Sequence, residues 1–238
     1  MASSASPLYA APLFQRITGG ALRPGGTALT RRALELCSFA PEADILDIGC
    51  GKGASLALLQ QLGLNGTGLD RECSLEAPFP FVQADAENPP FPDDSFDGLL
   101  CECVLSLLPG AAHALQRFSA MLRPEGRLIL SDLYITGGSG RPAAGVSTCL
   151  EGARTRQEVE VLLEENGFST LFFEDHSAAL KELAARLLWY GDEELCALLR
   201  GGRACACGTR YGYGLWIARP SGKQKGARTD ALHPRRLS

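Results

Sequence analysis

The segment Ile45-Leu46-Asp47-Ile48-Gly49-Cys50-Gly51-Lys52-Gly53 constrains this chain more than any other. A short apolar strand enters a turn with glycine at alternate positions, and a helix-forming stretch, Ala54 to Leu62, leaves it. Glycine permits the tight turn and lets a ligand approach the backbone, while the helix N-terminus adds partial positive charge. Gly49, Gly51 and Ala54 alone satisfy the G-x-G-x-x-A pattern of dinucleotide sites, a weak signal by itself. Asp47 separates two readings. A carboxylate just before the turn repels a pyrophosphate but suits a ligand that carries an ammonium group and a sulfonium.

Two further carboxylates fall where the next strands should end. Gly66-Thr67-Gly68-Leu69-Asp70 places Asp70 at a strand tip, where it can accept from both hydroxyls of a ribose. Phe81-Val82-Gln83-Ala84-Asp85-Ala86 places Asp85 in position to accept from an exocyclic adenine amine. Alone, a strand-end aspartate is equally a turn former. Three of them beside a glycine turn converge on one crevice, because ligands of open α/β sheets bind outside the carboxyl ends of the strands.

The pattern around these residues predicts strands at 44–48, 66–70, 81–85, 96–101 and 126–132, and helices at about 27–37, 53–62 and 111–122. Such alternation requires crossover connections, hence a mostly parallel sheet with helices on both faces. Beyond a Gly/Ser/Pro connection at 137–145, Thr155 and Glu158 form a capping-box pattern for a helix at 156–166, closed by Gly167. Strands are expected at 169–174 and 211–218, with helical sequence at 177–200 between them. That makes seven strands.

With 45% hydrophobic residues in 238, the chain can bury a full core without disulfides or metal. Its net charge of -4 disfavours an electrostatic nucleic-acid partner. The longest apolar stretch, Leu99 to Leu108, is interrupted by Glu102 and is too short to span a bilayer. Nine cysteines without an export signal read as reduced thiols, so a soluble, cytoplasmic protein without membrane contact is expected.

These residues resemble the class I S-adenosylmethionine-dependent methyltransferases, in particular the type 11 branch, over about residues 27–135. Pro90-Phe91-Pro92-Asp93-Asp94-Ser95-Phe96-Asp97 before the fourth strand, and Leu122-Arg123-Pro124-Glu125-Gly126 before the fifth, belong to the same resemblance. It implies a Rossmann-like α/β fold, S-adenosylmethionine as cofactor and methyl transfer to a small-molecule acceptor. It assigns the cofactor to Asp47, Gly49, Gly51, Asp70, Asp85 and Ala86, and the neighbouring Cys50, Gly53, Arg71 and Cys101 complete the expected set. The implied organisation is an N-terminal arm or lid at 1–26 and a methyltransferase domain at 27–218, followed by a disordered tail at 219–238. Within the domain, 27–135 would bind the cofactor and 136–218 would lie on the acceptor side.

The acceptor is less constrained, because one cofactor site serves many acceptors. Cys101-Glu102-Cys103-Val104 after the fourth strand and Cys149-Leu150-Glu151-Gly152-Ala153 after the fifth resemble segments of the arsenite methyltransferases. On that resemblance Cys103 and Cys149 match metalloid-binding thiols, and soft thiolates suit a soft trivalent centre. A further thiol of that family is not matched: Leu56 stands in its place. Buried packing is the alternative for Cys101 and Cys103. His113 and His176 are candidate bases for an oxygen acceptor. Arg23 is read either as a contact to the cofactor carboxylate or as a solvated loop residue. Tyr211, Tyr213, Trp189 and Tyr190 are read as pocket wall or as core. A cofactor-binding sensor or assembly subunit without turnover would retain the same acids and glycines. A metal or redox module built on Cys101/Cys103 and Cys205/Cys207 lacks the usual two-residue spacing, and no resident metal is expected.

Overall fold

Strand β1 (Asp44–Ile48) lies in the interior of the sheet, and from Ile45 to Ile48 it is buried on both faces, Asp47 included. The computed structural model describes residues 23–72, 75, 77–138, 149–190 and 208–222. Helix α1 (Gly26–Cys37) precedes β1. Then follow α2 (Ala54–Gln61), β2 (Asn65–Asp70), β3 (Phe81–Gln83), β4 (Phe96–Glu102), a 3-10 turn (Leu105–Leu107) and α3 (Ala111–Met121). The second half contains β5 (Leu122–Gly137), β6 (Arg154–Thr155), α4 (Arg156–Glu165), β7 (Phe168–Asp175), α5 (Ser177–Tyr190) and β8 (Arg210–Pro220).

The strand order is β3-β2-β1-β4-β5-β8-β7, with the short β6 beside β5. Pairing is parallel from β3 to β5, while β8 inserts antiparallel between β5 and β7. This is the Rossmann-like, mostly parallel sheet expected from the sequence, with β6 as an eighth strand too short to show a period of two. The chain order reverses between β1 and β4, so the crevice at their carboxyl ends is the topological switch point.

Helices cover both faces. Leu115 and Phe118 of α3 and Leu163 of α4 pack with Leu46, Ile48, Leu99 and Leu130. On the other face Leu29, Ala33 and Leu34 of α1 and Leu56 and Leu59 of α2 pack with Ile45, Leu100 and Ile129. At the opposite end of the strands from the crevice, Arg123 donates to Asp97 (2.6 Å) and to Asp44 (3.0 Å), and the Asp44 amide donates to Asp97 (2.9 Å). One guanidinium thus ties the entries of β1 and β4 to the start of β5.

Several boundaries differ from expectation for local reasons. β3 ends at Gln83 instead of Asp85, because the Asp85 carboxylate turns back to accept from the Glu87 amide at 2.9 Å. Helix α2 begins after Gly53, whose φ of 84° is left-handed. β5 runs the full length of its pairing with β8, from Leu128↔Ala218 to Gly137↔Arg210, and so outlasts the predicted 126–132. Arg219 and Pro220, expected in the tail, belong to β8 and pair with Ser169 and Phe168. The arm at 1–22, most of the 137–145 connection, helical sequence 191–200, Cys205 and Cys207, and the tail from 223 lie outside the described residues. Among the described residues, no helix is long and apolar enough to cross a membrane.

The capping box forms as the sequence indicates: the Glu158 amide donates to Thr155 Oγ1 (3.2 Å) and the Thr155 amide to Glu158 Oε2 (2.7 Å). Thr155→Ala is expected to cost about 1 kcal/mol, the usual value of such a cap. Chemical denaturation measures it; an unchanged midpoint would show that α4 does not depend on its cap.

Candidate functional site

The turn after β1 is held by its own amides. Those of Gly49 and Cys50 donate to Leu69 O (2.7 and 3.2 Å), that of Gly53 to Cys50 O (2.9 Å), and that of Gly51 to Asp70 Oδ2 (2.9 Å). A pyrophosphate site needs such amides turned toward the ligand. Here four of them are already committed within the protein, which weighs against the dinucleotide reading. Three of the glycines have left-handed φ: Gly49 (70°), Gly51 (50°) and Gly53 (84°). A Cβ on Gly49 would meet Val104 Cγ2 at 2.4 Å, whereas above Gly51 a Cβ would find open space. Gly49 therefore lets β1 close against the end of β4, and Gly51 leaves the crevice free for a ligand.

The expected cofactor residues divide by environment. Asp70 is half-buried at the tip of β2, and its other oxygen accepts from the Glu72 amide at 3.1 Å. Asp85 is more open and pairs with Arg71 Nη2 at 2.9 Å. The adjacent amide of Glu87 and Arg71 hold its carboxyl below the usual range. Ala86 is buried in the apolar core beside it. Cys50 packs under the sheet, its sulfur 2.7 Å from where a Cβ on Gly68 would stand. The Cys101 thiol also belongs to the core, against Leu46, Ile48 and Leu130, so its side chain takes the packing role.

Asp47 is only 4% exposed. Burial raises its carboxyl to about 8, reinforced by the neighbouring Glu102 and opposed by Arg23. Glu102 is the residue that motif reading missed. It ends β4 with its carboxylate almost fully enclosed, accepting from Thr30 Oγ1 (2.9 Å), Ser55 Oγ (3.0 Å) and Arg23 Nη2 (2.8 Å). Arg23 also donates to Ser55 at 2.8 Å and to Thr30. Arg23 is thus not a solvated loop residue; it is a buried counter-ion to Glu102 whose Nε hydrogen has no partner among the described residues. A charge interrupting an apolar strand was the signal: it had to find a cation.

On the other side of the switch point the chain builds a thiol-bearing wall. Cys103 follows β4 with φ 57°, left-handed for a residue with a side chain. That backbone breaks the alternation of the strand, so Cys101 faces the α3/α4 side while Cys103 joins Cys149, Leu150, Tyr211 and Tyr213 on the α1/α2 side. The two cannot act as a Cys-x-Cys pair. Cys103 Sγ lies 3.2 Å from the Tyr213 hydroxyl, which is 3.0 Å from Ser131 Oγ. Asp132, also missed, accepts from the Ser106 amide (2.8 Å), Ser106 Oγ (2.7 Å) and the Leu133 amide (2.7 Å), clamping the 105–107 turn to β5. Burial raises it to about 6. The 149–153 turn rests against the same element: a Cβ on Gly152 would come within 1.8 Å of Ser106 O. That contact sets Cys149 on the wall with Cys103.

Burial pushes the Cys149 thiol up to about 12 and the Cys103 thiol well above its ordinary value, with Asp132 adding to both. Both are therefore thiols at neutral pH, so neither is a standing thiolate. His176 Nε2 sits 3.4 Å from Glu174, and His113 lies on an exposed face of α3.

Residues 46–130 match the family model of the methyltransferase domain. An uncharacterized methyltransferase of Bacillus subtilis is 35% identical over 117 residues, 44% of this chain and 50% of that protein. An arsenite methyltransferase of Halobacterium salinarum is 28% identical over 153 residues, 56% of this chain and 39% of that protein. This chain thus matches half or less of the length of either relative. Among solved structures, a phosphoethanolamine N-methyltransferase 2 of Haemonchus contortus, in complex with phosphomonomethylethanolamine and S-adenosylhomocysteine, superposes with a TM-score of 0.70 at 17% identity. That match covers 88% of this chain and 56% of the other, and it shows the shared fold.

Asp70→Ala is expected to weaken S-adenosylmethionine binding by about 30- to 1000-fold, the loss of a charge-assisted bond pair worth roughly 2–4 kcal/mol. Calorimetry on the folded variant decides; unchanged affinity would remove Asp70 from the site.

Proposed function

We propose that this chain is an S-adenosylmethionine-dependent methyltransferase acting on a small soft acceptor, either a trivalent arsenical held at Cys103 and Cys149 or a thiol received beside them. The cofactor half rests on the committed turn amides together with acids at or just beyond the ends of three neighbouring strands. Asp70 would accept from the ribose hydroxyls, Gly51 leaves the approach open, and Asp47 would offer a carboxyl to the ammonium group. The single observation that carries the acceptor half is the left-handed backbone of Cys103, which sends its thiol to the face that holds Cys149. Leu56, where the arsenite enzymes carry another thiol, is packed into the core under α2. A two-thiol site is therefore the reading.

When bound, the cofactor supplies an electrophilic methyl group on a sulfonium. The chain's part is alignment and exclusion of water, since a soft nucleophile needs no general base in its attacking form. Asp70, Asp85 and the β1 turn orient the ligand from one side of the switch point, and Cys103 and Cys149 orient the acceptor from the other. Val104, packed against Gly49, closes the gap between the two halves. The high thiol pKa values are compatible with this role. When a thiol condenses with a trivalent arsenic hydroxide, an arsenic–sulfur bond forms, an arsenic–oxygen bond breaks, and the thiol proton leaves with the hydroxide as water.

The test supplies labelled S-adenosylmethionine with arsenite or a small thiol and follows methylated product by mass spectrometry, alongside arsenite titrations of wild type, Cys103→Ser and Cys149→Ser. Product from the wild type, with arsenic binding lost and S-adenosylhomocysteine binding kept in both variants, is expected. Equal arsenic affinity in all three proteins, or none in the wild type, would reject the metalloid acceptor.

A further inference from the structure

Tyr213 is completely buried, yet its ring carries a hydroxyl that a phenylalanine core would not need to satisfy. β8 pairs antiparallel with β5 so that Tyr213 faces Leu133 and Leu215 faces Ser131. This register brings the phenol oxygen within 3.0 Å of Ser131 Oγ and 3.2 Å of Cys103 Sγ. The Cys103 amide donates to Ser131 O at 2.7 Å, so the same β5 residue anchors the backbone of the thiol and touches the phenol. The left-handed conformation of Cys103 is what delivers the sulfur there, and strained backbone of this kind persists only where the surroundings enforce it.

The chain of hydroxyls has a direction. A phenol donates one hydrogen bond, and so does a serine. A thiolate can only accept. Once Cys103 sulfur carries negative charge, the order Ser131 to Tyr213 to Cys103 is the arrangement in which every proton has an acceptor, and each bond polarises the next. The other groups facing this sulfur are divided. Asp132 from β5 and Cys149 from the 149–153 turn oppose a charge on it, whereas Tyr213 from β8 and Arg23 before α1 favour it. Tyr213 is the side chain among these that does so by a hydrogen bond.

We propose that Tyr213, supplied by Ser131, is a positioning residue that donates to Cys103 Sγ as negative charge develops on it and so aims the sulfur at the acceptor. This rests on the reading of Cys103 as an acceptor-site thiol. Tyr213 keeps its own proton throughout; the proton lost by Cys103 leaves with the acceptor's hydroxide as water, as above. Asp132 and Cys149 raise the cost of the anion, and Tyr213 lowers it at the moment the sulfur engages its target.

The test reads Cys103 directly and needs no acceptor. Iodoacetamide labelling of Cys103 is followed by peptide-resolved mass spectrometry across pH for the full chain, its Tyr213→Phe and Ser131→Ala variants, with Cys37 as an internal control. Tyr213→Phe is expected to move the Cys103 profile to higher pH by about one unit, a roughly tenfold slower reaction at a fixed pH below the midpoint. Ser131→Ala should give a smaller shift in the same direction, and Cys37 should not move. A Cys103 profile unchanged in Tyr213→Phe, or shifted together with Cys37, would overturn the proposal. If Tyr213→Phe does not fold, an unchanged profile in Ser131→Ala overturns it. A shifted profile in a protein that binds no arsenite would reject the acceptor while leaving the Tyr213–Cys103 coupling intact, so the two readings fail separately.

Discussion

The buried carboxylate of Glu102 is the constraint around which the crevice is arranged. A charge at the end of the central strand β4 cannot be left alone in the core, since desolvation costs several kcal/mol unless partners replace water. Arg23, Thr30 and Ser55 supply those partners, and they come from the segment before α1, from α1 itself and from α2. Satisfying one carboxylate therefore docks two helices on the sheet at the switch point. It also bears on the state of Asp47. Burial first, and the neighbouring Glu102 second, raise the Asp47 carboxyl to about 8 against the opposing Arg23, so that it keeps its proton at neutral pH. An arriving ammonium group would reverse the balance and favour the Asp47 carboxylate.

The thiol-bearing wall follows a different logic, in which close approach replaces charge. Asp132 clamps the 105–107 turn, and Gly152 lets the 149–153 turn lie flush on it. Cys103 is turned by its left-handed backbone to the same side. None of these three features would be effective alone: without the clamp the turn has no fixed seat, and without Gly152 the second thiol stands off from the first. The two halves meet where Gly49 and Val104 touch.

The core of the fold was legible because the strands from β1 to β4 are short and alternate with turn or helical sequence. β6 was not, since two residues carry no period, and the length of β5 depends on β8, a pairing distant in sequence. Asp70 could be placed from its strand tip, whereas Asp85 lies two residues beyond the end of β3. Glu102 was noticed only as an interruption of an apolar run, and its significance lies in partners 47 to 79 positions away in sequence, through the separations of Ser55, Thr30 and Arg23. Cys101 and Cys103 looked like a pair because a strand alternates its faces, and one positive φ separates them. Tyr213 was legible as either core or pocket; it is core by burial and reaches the site through its hydroxyl.

The account stands on a crevice that accepts a sulfonium nucleoside and excludes a dinucleotide. Thermal unfolding of the full chain with S-adenosylhomocysteine and, separately, with NAD tests this most directly, because a ligand raises the melting temperature only by binding the folded state in preference to the unfolded one. The account predicts a rise with micromolar S-adenosylhomocysteine and none with NAD at the same concentration. A larger rise with NAD, or none with S-adenosylhomocysteine, would contradict it.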